Sequence, residues 1–245
     1  MTSKPTTSEL LTVLAARELA GCRVVFAGHG LPTLAVALAK ETVAPHVEMV
    51  YESGVVGAHP RRLPLSISDS TLADGAECIL GMPQLFGYMI QGGRIQVGFL
   101  GAAQIDRYGN LNSTLIAAKP DAPAHRLPGS GGAIEVMGHA REVFVVMRRH
   151  TPQTLVAALD YVTSPTPKGS GGVTRVITEL GVLGRGEDDE ELVLTRTNTG
   201  VDAKTVVAAT GWPLRTDEHL STNALPTTDE ISILRRLDPD RLYLR

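Results

Sequence analysis

The chain has 245 residues, 43% of them hydrophobic, and a formal net charge of -3 at pH 7. That length buries a sizeable core. The slight acidity excludes a general nucleic-acid binder or a membrane-surface protein, since both favour a basic face.

Only 4% of residues are aromatic, so the core must rest on Val, Leu, Ile and Ala, as in a buried parallel sheet. The polar start, MTSKPTTSELL, has no basic lead into a long apolar run, so no signal peptide is expected. No apolar stretch approaches the length of a membrane span, and a cytoplasmic protein is the expectation. Cys22 and Cys78 stand alone, with neither zinc spacing nor a disulfide framework. The histidines are scattered without metal-ligand spacing.

Residues 8–21 have helical apolar spacing, with Ser8 as the expected cap and Gly21 as the stop. CRVVFAG (22–28) reads as a strand, and LPTLAVALAKETV (31–43) as a helix with Pro32 in its first turn. VEMVYES (47–53) is a strand, MPQLFGYMIQ (82–91) a helix, RIQVGFLGA (94–102) and REVFVVMRR (141–149) further strands. From about residue 160 the text turns to Gly, Pro, Ser and Thr, read as loop, followed by an acidic turn at 186–191. Helices at 201–211 and 227–237 close the chain, the last with Thr228 or Asp229 as cap. This alternation predicts one α/β domain over 1–245, with its core at about 8–237. Its expected form is an open, largely parallel sheet with helices on both faces.

Several short stretches carry candidate chemistry. In VYESGVVGAHP, Glu52 sits where an apolar strand ends and Gly54 forces a bend. It is either a solvated strand end or a carboxylate held out to react. GHGLPT (28–33) joins a strand to a helix, but Thr33 stands where a dinucleotide fingerprint needs its third glycine. A tight structural turn is the better reading there. LGAAQIDRYGNLNST (100–114) offers the Gln104 amide beside small residues, while Asp106 and Asn110 suit a turn. PGSGGA (128–133) can turn its N–H groups toward one point and hold an oxyanion, or it is a plain connector. PKGSGG (167–172), led by Lys168, reads as a mobile loop. Arg94 and Arg61 could pair with the second carboxylate of a diacid.

YESG (51–54), GHGLP (28–32), QGGRIQVGFLGAAQIDRYGNLNST (91–114), PGSGGA (128–133) and TSP (163–165) occur together in this spacing. The chain thereby resembles the β subunits of the family I CoA-transferases, chiefly the 3-oxoadipate and glutaconate branches, over about residues 8–237. The resemblance implies that Glu52 is the glutamate that becomes acylated. Many 3-oxoacid members read Ser-Glu-Asn-Gly here; this chain reads Tyr-Glu-Ser-Gly, which loosens the substrate and not the nucleophile. It further implies transfer of CoA from an acyl-CoA, succinyl-CoA, to a carboxylic acid, 3-oxoadipate, through a glutamyl-CoA thioester. Gln104, Gly131 and Gly132 would stabilise the oxyanion, and Ser53, Gly28, Gly30 and Arg94 would bind substrate. No metal or separate cofactor is implied, CoA being a substrate held covalently on Glu52. The implied partner is an α subunit, in an α2β2 or larger assembly, with neither nucleic acid nor membrane involved. Three alternatives stay open: glutaconate or another 3-oxoacid as acceptor, a CoA-thioester or ring-opening hydrolase on the same fold, and a non-catalytic partner-stabilising subunit.

Overall fold

The computed structural model describes residues 4–60, 62–119, 123–167, 171–185 and 190–245. Arg61, Lys168 and most of the acidic run at 186–191 lie outside the described residues. The chain groups into two compact units, one holding everything up to Phe99 together with His139–Arg141 and Leu225–Arg245, the other Leu100–Gly138 and Glu142–Ala224.

The first unit opens with α1 (Thr7–Arg17), β1 (Val24–Phe26), α2 (Leu31–Glu41), β2 (Glu48–Val50), β3 (Val55–Val56), β4 (Cys78–Ile79) and β5 (Val97–Leu100). Its strand order is β5-β1-β2-β3-β4; β5, β1 and β2 are parallel, β3 is antiparallel to β2, and β4 is antiparallel to β3. The stretch at 82–91 is helical, as expected, but as a π-helix over Gln84–Gln91. In the second unit, β6 (Gln104–Ile105) pairs with β7 (Leu111–Asn112), and β8 (Leu115–Ile116) with β9 (His125–Arg126). Then come α3 (Ala133–His139), β10 (Glu142–Met147), β11 (Val173–Thr178), β12 (Gly181–Gly184), β13 (Val193–Asn198), α4 (Ala203–Ala208) and β14 (Thr216–Asn223). The pairs β10–β11 and β13–β14 are parallel; β11–β12 and β12–β13 are antiparallel. The chain returns to the first unit through α5 (Thr228–Leu237).

The class is the expected one: α/β, an open sheet in which parallel register pairs outnumber antiparallel ones, and helices around it. The start of β11 lies in the stretch 161–175 that is expected to be loop, and β12, β13 and β14 fall where no strand is expected. β11, VTRVIT, is rich in β-branched residues but directly follows a loop-like stretch that hides its start. β14, TDEHLSTN, is mostly exposed and carries no apolar pattern; its pairing with β13 makes it a strand.

Two caps differ from expectation. Thr6, not Ser8, caps α1, and Thr227, not Thr228 or Asp229, caps α5; each forms a capping box with a glutamate three residues on. Ser8 Oγ instead donates to the carbonyl of Arg245 at 2.7 Å. The capping glutamates have a second duty. Arg235 of α5 donates to Glu9 at 2.8 and 3.2 Å, and Arg17 of α1 donates to Glu230 at 2.8 and 2.7 Å. Each helix start thus binds the other helix's arginine, which ties the C-terminal segment to the first unit. Glu9 is fully buried, so losing Arg235 would strand a charge.

The second unit holds a buried histidine. His150 is 3% exposed, with Nδ1 2.9 Å from Thr178 Oγ1 and Nε2 2.9 Å from Thr210 Oγ1. Burial pushes its pKa down from 6.5 to about 4. The unfolded chain therefore binds a proton between those values that the folded chain refuses. The stabilising contribution is complete above pH 6.5 and is lost as pH falls toward 4. Between pH 7 and 5 the loss is about 2 kcal/mol. Urea unfolding at the two pH values should show it, and a His150→Gln variant should show a smaller fall; an equal fall would place the acid sensitivity elsewhere.

Candidate active site

Glu52 sits on the turn between β2 and β3. Tyr51 N–H donates to Val55 O, and Gly54 N–H donates to Tyr51 O, both at 2.9 Å. Glu52 and Ser53 are therefore the two central residues of a tight β-turn. Gly54 has φ +89°, a conformation other residues rarely adopt, and a Cβ there would lie 2.1 Å from the carbonyl oxygen of Leu80. Leu80 N–H in turn donates to Gly54 O at 2.9 Å. The glycine is needed twice, for the bend and for the close passage of the neighbouring backbone.

The stem of the turn is anchored. Tyr51 is 1% exposed and packs with Val55 and Leu72. Burial pushes its hydroxyl pKa well above the usual phenol range, and the hydroxyl pairs with Thr33. Thr33 Oγ1 donates to the carbonyl of Gly28 at 2.9 Å. A relay Tyr51–Thr33–Gly28 thus joins the glutamate turn to the glycine turn after β1.

The register explains why these two turns are neighbours. β1 and β2 are parallel with Phe26 opposite Val50, and two residues further on come Gly28 and Glu52. Both turns cap the carboxyl ends of parallel strands, where open α/β sheets place their ligands. Glu52 and Ser53 are half-buried there, and Ser53 Oγ is shielded from solvent without a hydrogen-bond partner among the described residues. Gly30, with φ +107°, starts α2 with no side-chain cap.

Sequence reasoning missed the prop beneath Gly30. The tail after α5 wraps round Asp238, whose carboxylate accepts the N–H groups of Leu242, Tyr243 and Leu244 at 2.7, 2.9 and 3.0 Å. This sets Tyr243 against the glycine turn. Its hydroxyl donates to Pro64 O and accepts from Gly30 N–H, and its ring meets His29 edge-on at 6.4 Å. Burial pushes the Tyr243 hydroxyl up to about 12. The one available signal was the apolar LYL inside the terminal RLYLR, outside the core expected to end near 237.

Arg94 is not brought to Glu52. Val97 of β5 pairs with Val25, which puts Arg94 level with Cys22, at the amino ends of the strands. Glu52 is level with Gly28, six residues further along. At about 3.3 Å per residue the two levels are about 20 Å apart.

The remaining candidates belong to the second unit. Gln104 is 4% exposed. Its Oε1 accepts Asn112 Nδ2 at 2.8 Å and Asp160 N–H at 3.1 Å, and its Nε2 donates to Asp160 Oδ2 at 3.0 Å. The same carboxylate oxygen accepts Ala117 N–H at 3.2 Å. Gln104 is thus a clasp holding the loops around 112–117 and 160. Asp106 and Asn110 form the expected turn: Asp106 Oδ1 accepts the N–H of Tyr108 and of Asn110, both at 3.0 Å. The glycine loop is pinned at Gly129, whose carbonyl accepts Ser113 Oγ and whose N–H donates to Ser113 O, both at 2.8 Å. Gly131 is exposed with φ +47°, while Gly132 is buried and leads into α3. Among the described residues no group of three or more His, Cys, Asp or Glu side chains is placed to hold a metal ion. Among them, too, no helix is long and apolar enough to cross a membrane.

Residues 9–209 match the Coenzyme A transferase family. The chain belongs to that family. This CoA-transferase chain is 41% identical to the B subunit of the 3-oxoadipate CoA-transferase of Pseudomonas knackmussii, over 95% of its own length and 93% of the relative's. Among solved structures it superposes on the glutaconate coenzyme A-transferase of Acidaminococcus fermentans with a TM-score of 0.88 at 27% identity, covering 98% of this chain and 97% of the other. It also superposes on the decarboxylase AibA/AibB with a TM-score of 0.83 at 27% identity, over 96% and 95% of the two chains. The family assignment and the resemblance to B-type subunits agree with the reading of the motifs.

Proposed function

We propose that the chain is the β subunit of a heteromeric CoA-transferase that moves CoA from succinyl-CoA to 3-oxoadipate, with Glu52 as nucleophile. The observation that carries the reading is the presentation of Glu52 on a braced turn at the carboxyl ends of parallel strands. The identity to the B subunit of a 3-oxoadipate CoA-transferase supports the choice of substrates. An A-type subunit completes the enzyme, in an α2β2 or larger assembly, and the reaction is a step of aromatic-compound breakdown in the β-ketoadipate pathway. Glutaconate or another 3-oxoacid is the nearest alternative acceptor.

The chemistry runs in balanced steps. The γ-carboxylate of Glu52 attacks the thioester carbonyl of succinyl-CoA, and the C–S bond breaks to release CoA thiolate. A mixed succinyl–glutamyl anhydride remains. The thiolate then attacks the glutamyl carbonyl, succinate leaves, and a glutamyl-CoA thioester forms. The acceptor acid reverses both steps and leaves as its CoA thioester. An activated acyl bond exists at every stage, so no ATP is consumed. CoA is thus a substrate held covalently for part of the cycle, and no other cofactor enters. Each tetrahedral intermediate needs N–H donors at its oxyanion. The family resemblance assigns that role to Gly131, Gly132 and Gln104, with Ser53 as a hydroxyl donor. Gly28 and Gly30 let substrate approach the backbone.

The test is covalent trapping. The chain, purified with its A-type partner, is treated with succinyl-CoA and then borohydride, which reduces an enzyme-bound thioester to an alcohol. A mass change confined to Glu52 in the peptide around 51–54, and suppressed by free succinate, is the expected result. CoA release without that change would favour the hydrolase reading. Neither release nor change would remove the succinyl-CoA assignment.

A further inference from the structure

Arg94, which the register carries away from Glu52, has company at the amino ends of the strands. It lines an open depression together with Arg23, Arg141 and Gln96. The strands explain the gathering. Arg23 immediately precedes β1, and Arg94 lies shortly before β5, the parallel neighbour of β1. Arg141 N–H donates to Ile95 O at 3.1 Å, which seats the third arginine beside the second. Neighbouring extended segments run about 4.8 Å apart, so the three arginines leave the backbone within about 10 Å of one another.

Nothing balances their charge. Among the described residues none of the three guanidiniums has an ion-pair or hydrogen-bond partner, and no carboxylate lines the depression. The chain as a whole carries -3, so the sign is reversed locally. Like charges held this close repel, and an anion among them relieves it. Gln96 adds an oriented amide. Its Oε1 accepts the N–H of Arg23 at 2.6 Å and of Val24 at 3.0 Å, and its own backbone N–H donates to Val24 O at 3.0 Å. The amide oxygen is thereby spent on β1, and Nε2, which only donates, is the end left to meet a ligand. Guanidinium forks match phosphate oxygens in pairs. A row of three spread over about 10 Å suits an anion with more than one such group.

We infer that Arg23, Arg94, Arg141 and Gln96 form a binding site for a small polyanion carrying two or more phosphate groups. The site is separate from the glutamate turn, because the two lie at opposite ends of the same parallel strands, about 20 Å apart. It stands whether or not the chain transfers CoA from succinyl-CoA. A bound anion joins β1, the lead into β5 and the segment 139–141, which are remote in the chain. Binding therefore raises the stability of the first unit as well as filling the site.

The experiment is isothermal titration calorimetry at constant ionic strength, on the full chain alone and with its A-type partner. Pyrophosphate is the probe and inorganic phosphate the comparison. Pyrophosphate should bind in both preparations, at least about tenfold tighter than phosphate, and should raise the melting temperature. Arg94→Gln and Arg141→Gln should each weaken pyrophosphate at least about tenfold, the effect of losing one charge-assisted hydrogen bond. Both side chains are exposed, so both variants should melt like the parent when no anion is present. Lys204→Gln, which removes the same charge from the exposed side of α4, should bind as the parent does. Parent affinity in the arginine variants would overturn the site, and so would a parent chain that takes up no pyrophosphate. Binding by the chain alone that vanishes in the complex would also overturn it, and would give the arginines to an acidic surface of the partner.

Discussion

Glu52→Gln should abolish CoA transfer, with a loss of at least about a thousandfold, while assembly and folding stay intact. The magnitude is typical of removing a covalent nucleophile. The neutral amide keeps the shape of the carboxylate and cannot attack a thioester. Glu52 is half-buried at the tip of a turn held by backbone hydrogen bonds, so the substitution removes chemistry and leaves the hairpin. Steady-state transfer, sedimentation of the complex and thermal unfolding check the three parts. Full activity in the variant would refute the nucleophile. Lost activity with lost assembly would show that the side chain is architectural, and would refute the clean separation predicted here.

Gly54→Ala should damage both stability and activity. The left-handed φ costs on the order of 1–3 kcal/mol for a residue with a side chain. The new Cβ would also lie 2.1 Å from Leu80 O, and that neighbour is backbone, which cannot swing aside as a side chain would. A total loss of about 2–4 kcal/mol follows, measurable by urea unfolding. To relieve the clash the turn must part from the 78–83 segment, carrying Glu52 with it. Activity should therefore fall further than the unfolded fraction explains. Gly28→Ala is the contrast: nothing lies within 4 Å of its added Cβ and its φ is ordinary, so it should fold normally. A lost activity there would report substrate against the backbone. If Gly54→Ala instead unfolds like the parent protein, the turn is more pliable than its geometry implies.

Much of the first unit is legible residue by residue. Val24–Phe26, Leu31–Glu41 and Glu48–Val50 follow apolar runs and helical spacing, which are local and survive without knowledge of neighbours. Glu52 followed by Ser53 and Gly54 announces a bend by its glycine alone. The polar strand β14 is hidden because pairing, not its own pattern, makes it a strand. Arg94 looks equivalent to the other candidates in the text, yet the parallel register carries it to the far ends of the strands. Tyr243 lies outside the expected core and braces the turn at Gly30.

The α/β class, the apolar parallel strands, the bend after Tyr51 and the motif set shared with the CoA-transferases can be read from the amino-acid order without neighbours. Those properties are written in local patterns and in the order of short motifs. Which residues share an end of the sheet is set by the folded chain, because register is a property of pairs of strands. Only there is Gly54 held against Leu80, does Tyr51 reach Gly28 through Thr33, and is Gln104 bound to Asn112 and Asp160. Contacts such as Gly54–Leu80 and Gln104–Asp160 join residues far apart in the chain, and they depend on close packing that no single segment encodes.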